Sequence, residues 1–194
     1  MQQGAWTAEA ARGLSNHFDP QGFDVLCAHR DRRTRKDSTS RVKTGRIISW
    51  VGPDFRRGSQ LAFPDIAIVE RSTKKVILLG EVEETKPQPK TVIGDTFANL
   101  LGDHLTFGPN QKEELIVGNW TTFIFLAIST GKGSGDQQLR MLQHKLNQVR
   151  MHLSNQNSAV REIVIDIYQS ETELHTKLLN QAKNALKELR RVSK

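Results

Sequence analysis

The chain has 194 residues, 37% of them hydrophobic and 25% charged, enough for a single domain with its own core and too apolar for an intrinsically disordered protein. Its longest unbroken apolar run, residues 123–128, falls far short of the roughly 20 residues that span a bilayer; no signal-peptide core opens the sequence, and a lone cysteine excludes an internal disulfide or a cysteine-based metal knuckle. We therefore expect a soluble, cytoplasmic protein without membrane contact, turned toward polyanionic partners by a net charge of +7 and a pI near 9.8.

Trp6, Ala10, Leu14 and Phe18 recur every four residues, which predicts an opening helix over 7–17 with Thr7 as its N-cap and Glu9 in its first turn. Residues 23–28 read as a short strand in which Cys27 is a small buried apolar residue. A polar, aperiodic stretch follows, where Arg30, Arg32, Arg33, Arg35, Lys36, Arg41, Lys43 and Arg46 meet only Asp31 and Asp37. We read it as a mobile basic arm holding most of the net charge and suited to bidentate, salt-dependent contacts with phosphates.

Residues 46–51, 66–69 and 76–79 predict three consecutive strands, the last two apolar on both faces and hence central. A helix is expected over 92–105, interrupted by Gly94 and Gly102, then a buried strand over 121–128, a helix over 136–153 and a strand over 163–167. The closing helix, 171–191, carries a stripe of Leu174, Leu178, Ala182, Leu186 and Leu189. This order implies an α/β domain built on one mixed sheet with helices layered against it.

The chemistry lies between residues 61 and 83. With the 66–69/76–79 hairpin centred on Thr73, Asp65 faces Glu81, Ala67 faces Leu79 and Val69 faces Ile77. Side-chain alternation adds Glu83 to the face of Glu81, so three carboxylates gather at the end of an apolar hairpin. Two carboxylates about 5 Å apart at an effective dielectric near 20 repel by about 3 kcal/mol, which a hard divalent cation would offset. Oxygen ligands without nearby Cys or His favour Mg²⁺ or Mn²⁺, and the chemistry such ions serve is metal-assisted phosphodiester hydrolysis.

Pro64-Asp65, followed sixteen positions beyond the aspartate by Glu81-Val82-Glu83, resembles the PD-(D/E)xK signature of restriction endonucleases and related nucleases. The helix, three strands, helix and strand shared by that superfamily correspond to residues 7–128. The resemblance implies a restriction-endonuclease-like three-layer fold, and a Mg²⁺ or Mn²⁺ ion held by Asp65, Glu81 and the Val82 carbonyl. Glu83 would take a proton from the attacking water or bind a second metal. Glu83 stands where the family usually carries Lys, a variation also found in some restriction enzymes of this fold. Lys86 and Lys90, just beyond it, are candidate replacements, with solvated loop lysines as the simpler reading. Glu9 is the candidate for the extra acid that several members carry on the first helix, with a helix-dipole partner as the simpler reading.

Other signals carry less. The loop Gly131-Lys132-Gly133-Ser134-Gly135 lacks the P-loop pattern, and His17, His29, His104, His144, His152 and His175 show no ligand spacing, so none is assigned a catalytic role. The expected function is a Mg²⁺-dependent nuclease acting on DNA, with a homodimer as the arrangement that cuts both strands symmetrically. The alternative is a catalytically inactive nucleic-acid-binding protein on the same fold.

Overall fold

The β-branched apolar runs pair into one mixed sheet, and each amphipathic helix covers part of one of its faces. The computed structural model describes residues 4–29, 41–85, 88–108, 113–128, 133–153 and 160–192. In chain order the elements are α1 (Ala5–Phe18), β1 (Phe23–Cys27), β2 (Lys43–Thr44), β3 (Ile47–Trp50), β4 (Gln60–Ala62), β5 (Ile66–Glu70) and β6 (Lys75–Glu83). They continue with α2 (Pro89–Leu101), β7 (His104–Phe107), β8 (Glu113–Ile128), α3 (Gly133–Leu153), β9 (Val160–Tyr168) and α4 (Glu171–Val192). Among the described residues no helix is long and apolar enough to cross a membrane.

The sheet runs β2-β1-β5-β6-β8-β7-β3-β4, with β9 also paired to β8. β5 runs antiparallel to both of its neighbours, β1 and β6, whereas β6, β8 and β9 run parallel, as expected of strands buried on both faces. β7 and β9 share one edge of β8: β7 pairs along residues 113–116 and β9 along 121–128. The antiparallel ribbon β7-β3-β4 thus extends one flank.

This arrangement revises the expectation of three consecutive strands. β5 and β6 are central, but β3 lies across the sheet against β7, and β1 takes the place beside β5. Ile47, Ile48, Ser49 and Trp50 are all buried, and β7 satisfies the buried indole, Trp50 Nε1 donating to Thr106 Oγ1 at 2.8 Å. The helix expected to reach residue 105 stops at Leu101, and Leu105 belongs to β7. Gly102 ends it in an extended conformation, and a Cβ there would collide with the Ser49 side chain.

Two cores result. On one face, Ala10, Leu14 and Phe18 of α1 and Leu174, Leu178, Ala182 and Leu186 of α4 pack against Val25, Ile66, Ile68, Ile124 and Leu126. The predicted α4 stripe is therefore its buried side, each leucine contributing about 2 kcal/mol by burial. On the other face, Val92 and Leu100 of α2 and Leu146 of α3 cover Ala67, Leu79, Phe123, Phe125 and Ile163. Cys27 is buried as expected, and burial pushes its thiol up to about 12.

α1 begins earlier than expected, with Gly4 in a left-handed conformation (φ 82°) at its N-cap. Thr7 lies inside the first turn and is not the cap. Its N–H and hydroxyl donate to Glu84 Oε1 at 3.0 and 2.8 Å, so a carboxylate 77 residues away satisfies a free helix donor and complements the dipole.

Candidate metal centre at the open end of the hairpin

β5 and β6 pair Ile66 with Gly80, Ala67 with Leu79 and Ile68 with Leu78, which sets the residue before Ile66 opposite the one after Gly80. Asp65 and Glu81 therefore stand side by side. Nearer the turn the expected register fails: a bulge after Ile68 puts Val69 opposite Val76, not Ile77. Because the irregularity lies at the turn, it leaves the carboxylate end unchanged.

Asp65 is fastened by backbone and side chain together. Its N–H donates to Gly80 O at 2.9 Å and its carbonyl accepts from Ala28 N–H at 2.8 Å, bridging β6 and the end of β1. Its Oδ2 accepts the Val82 N–H at 2.9 Å, and His29 Nε2 lies 2.7 Å from Oδ1. An ionised carboxylate has about four lone-pair positions, so two of these contacts leave room for a cation. Val82 presents its N–H toward Asp65, and since N–H and C=O of one strand residue leave by the same edge, its carbonyl faces this side too.

Glu81 has few compensations. Asn99 Nδ2 reaches its Oε1 only at 3.4 Å. Burial raises its pKa well above the ordinary value of 4.5, the nearby charges of Asp65 and Asp95 push the same way, and the Asn99 contact opposes them. Asp95, from the second turn of α2, is also raised, first by burial and then by the charges of Asp65 and Glu83. Glu83 turns its Oε1 toward Thr85, whose N–H donates at 2.9 Å and whose hydroxyl donates as well. Tyr168 fixes the strand end by donating to the Glu83 carbonyl at 3.1 Å.

The four acids line a cleft of about 170 Å³ with Gly4, His29, Val82 and Phe125. His29 is the basic side chain of that lining, and its bond to Asp65 raises its pKa against the opposing effect of burial. Among the described residues no three His, Cys, Asp or Glu side chains form a ready-made metal cage. Mg²⁺ does not require one, because it keeps several waters and takes one or two carboxylates, which Asp65 and Glu81 supply. The half-buried, poorly partnered carboxyl of Glu81 is the feature that fits such an ion.

The remaining predicted positions are dispersed. Glu9 lies beyond the first turn of α1 and pairs with Arg12 at 2.9 Å, away from the cleft lining. Lys90 is exposed on the first turn of α2 and does not line the cleft. Arg41 pairs with Asp19 and Lys43 with Asp24 at 2.6 Å, while Arg46 lies over the Phe63 ring, 4.5 Å from its centroid. Arg30, Arg32, Arg33, Arg35, Lys36 and Lys86, and with them the body of the basic arm, lie outside the described residues, as does the start of the Gly131–Gly135 loop.

Sequence reasoning missed His29, Asp95 and Asn99. His29 is brought in by the pairing of Cys27 with Ile66, which the sequence does not announce. Asp95 and Asn99 had a readable signal, two polar residues four apart on the face of α2 that also carries buried Val92 and Thr96. Comparisons of the chain with known protein families, with curated proteins and with solved structures find no match.

Proposed function

We propose that this protein is a Mg²⁺-dependent nuclease of the PD-(D/E)xK type that hydrolyses phosphodiester bonds of DNA. The observation that carries this reading is the half-buried carboxyl of Glu81, set beside Asp65 and Asp95 in a cleft whose only basic side chain among the described residues, His29, is already bonded to Asp65. The element order supports it: α1, the antiparallel trio β1-β5-β6, α2, then β8 parallel to β6. In this reading the family's three strands are β1, β5 and β6, and the segment from β2 to β4 is an insertion.

Asp65, Glu81 and the Val82 carbonyl would hold the ion. When bound, it would polarise the phosphate and lower the pKa of a water at the reacting phosphorus. The chain's own work is positional. The Val82 N–H and His29 lock the Asp65 carboxylate, Asn99 steers Glu81, and Glu83 stands at the cleft to accept the water's proton. The exposed Arg46 beside Phe63, together with the basic arm, would grip the phosphate backbone.

One observation favours a second reading, a non-catalytic nucleic-acid-binding protein: no lysine lines the cleft among the described residues, and Glu83 stands in the usual lysine position. Nicking of supercoiled plasmid in Mg²⁺, Mn²⁺ or EDTA separates the two. The wild type is expected to nick only with metal, and Asp65→Asn and Glu81→Gln to lose at least about a hundredfold in rate, the scale of a metal's charge stabilisation. Tight, salt-dependent DNA binding without metal-dependent nicking would establish the second reading, and nicking retained in EDTA would sink the metal mechanism.

A further inference from the structure

We propose that Phe63 and Arg46 form a stacking platform that holds one unpaired nucleobase next to the metal centre. This rests on the nuclease reading and names the form of its substrate: a strand whose base beside the cut bond is free of a partner.

Phe63 is 46% exposed and the only aromatic among the exposed large hydrophobic residues described; the others, such as Leu101, Met141 and Met151, are aliphatic and mostly on α2 and α3. Scattered exposed aliphatics need no explanation, but this ring lies two residues before Asp65, so the two Cα atoms are at most about 7 Å apart. The intervening Pro64 is buried, and Asp65 is hydrogen-bonded to both Gly80 and Ala28. Phe63 is thus joined through a buried proline to backbone that is bonded to two strands.

Arg46 completes the platform. Its guanidinium lies over the Phe63 ring, and its carbonyl accepts the Gly108 N–H at 3.1 Å, holding the backbone just before β3. With the guanidinium over one face of the ring, the exposed remainder of the phenyl group is a surface of the kind on which unstacked bases sit, and it accepts any base because every base has a π-face. Arg56 and Arg57, exposed in the β3–β4 connection, add positive charge along the same excursion for the flanking phosphates. In a duplex both faces of a base are covered by its neighbours, so such a platform engages only a single strand or a base turned out of the helix.

The test is fluorescence anisotropy with a labelled single-stranded oligonucleotide of mixed sequence and with its duplex, in EDTA so that cleavage plays no part. Phe63→Ala is expected to weaken single-strand binding about tenfold with an unchanged salt slope, and Phe63→Trp to retain it. Arg46→Ala should weaken binding and lower the slope by about one. Duplex binding should change less than single-strand binding in Phe63→Ala. Cleavage by the wild type in Mg²⁺, of supercoiled plasmid and of the same single-stranded oligonucleotide, is scored separately. Metal-dependent cleavage with single-strand binding unaffected by Phe63→Ala overturns the platform and leaves the nuclease. Absent cleavage of both substrates with the tenfold loss in Phe63→Ala and retained binding in Phe63→Trp keeps the platform and removes the nuclease. An equal loss on duplex and single strand assigns Phe63 to general backbone binding and overturns the platform.

Discussion

The β5–β6 hairpin has acids near both ends, and the two ends are neutralised in opposite ways. At the turn, Arg71 Nε donates to Asp24 Oδ1 at 2.8 Å, Lys43 Nζ donates to Asp24 Oδ2 at 2.6 Å, and both Arg71 and Arg41 reach Asp19. Burial alone would raise the Asp24 carboxyl, but the bonds from Arg71 and Lys43 prevail and hold it below 3.8. At the open end, among the described residues of the cleft lining, Asp65, Glu81, Glu83 and Asp95 share only His29, and Glu81 and Asp95 are driven upward. The same strands thus match acids with cations where the acids serve the fold. They leave the charge unbalanced where, in the nuclease reading, a metal ion belongs.

The largest effect should come from relieving the unbalanced end. A carboxyl raised in the folded state keeps its proton where the unfolded chain has lost it, so metal-free stability should fall as pH rises above 4.5, the ordinary value for Glu81. Glu81→Gln removes that loss and should stabilise the protein by about 3 kcal/mol once both carboxylates of the wild type are ionised. Urea unfolding in EDTA across pH reads this directly. A variant less stable than wild type at every pH would show that the open end is not strained by charge. Adding Mg²⁺ should raise the thermal midpoint of the wild type and not that of Glu81→Gln.

The matched end carries the opposite sign. Asp24 has a side chain only 10% exposed, and its replacement by alanine should cost about 2 kcal/mol at neutral pH, the scale of hydrogen bonds to a charged group. Because its pKa is depressed, this contribution is complete above 3.8 and disappears as pH falls through the folded value. Denaturant titrations of wild type and Asp24→Ala should therefore converge in acid. Equal stability at pH 7 would place these pairs among the surface ion pairs that contribute nothing measurable.

The smallest effect lies at the junction of α1 with the cleft. Gly4 has φ 82°, and a Cβ there would run into the His29 ring, so Gly4→Ala should cost about 1 kcal/mol in thermal unfolding. It should also displace the His29 resonances in an NMR spectrum. Unchanged spectra would mean that His29 is not held between Gly4 and Asp65.

Much of this was legible in the sequence, for local reasons. Continuous β-branched runs at 66–69 and 76–79 read as central strands, and alternation about Thr73 puts Asp65 and Glu81 on one face from the sequence alone. The α4 stripe likewise reported its buried side. What escaped was non-local. Residues 113–120 are too mixed in composition to read as strand, yet they continue β8 because β6 and β7 offer them partners. The capping of Thr7 by Glu84 has no signature at a separation of 77 residues.

By itself, then, the sequence determined the α/β layering, the hairpin and the three clustered carboxylates, because hydrophobic period and strand alternation act over a few neighbouring residues. Tertiary structure alone decided that β1 and not β3 lies beside β5, and so that His29 meets Asp65. It also laid α2 over the sheet so that Asp95 and Asn99 face Glu81. Those choices depend on which distant surfaces bury each other best, and no local pattern encodes that.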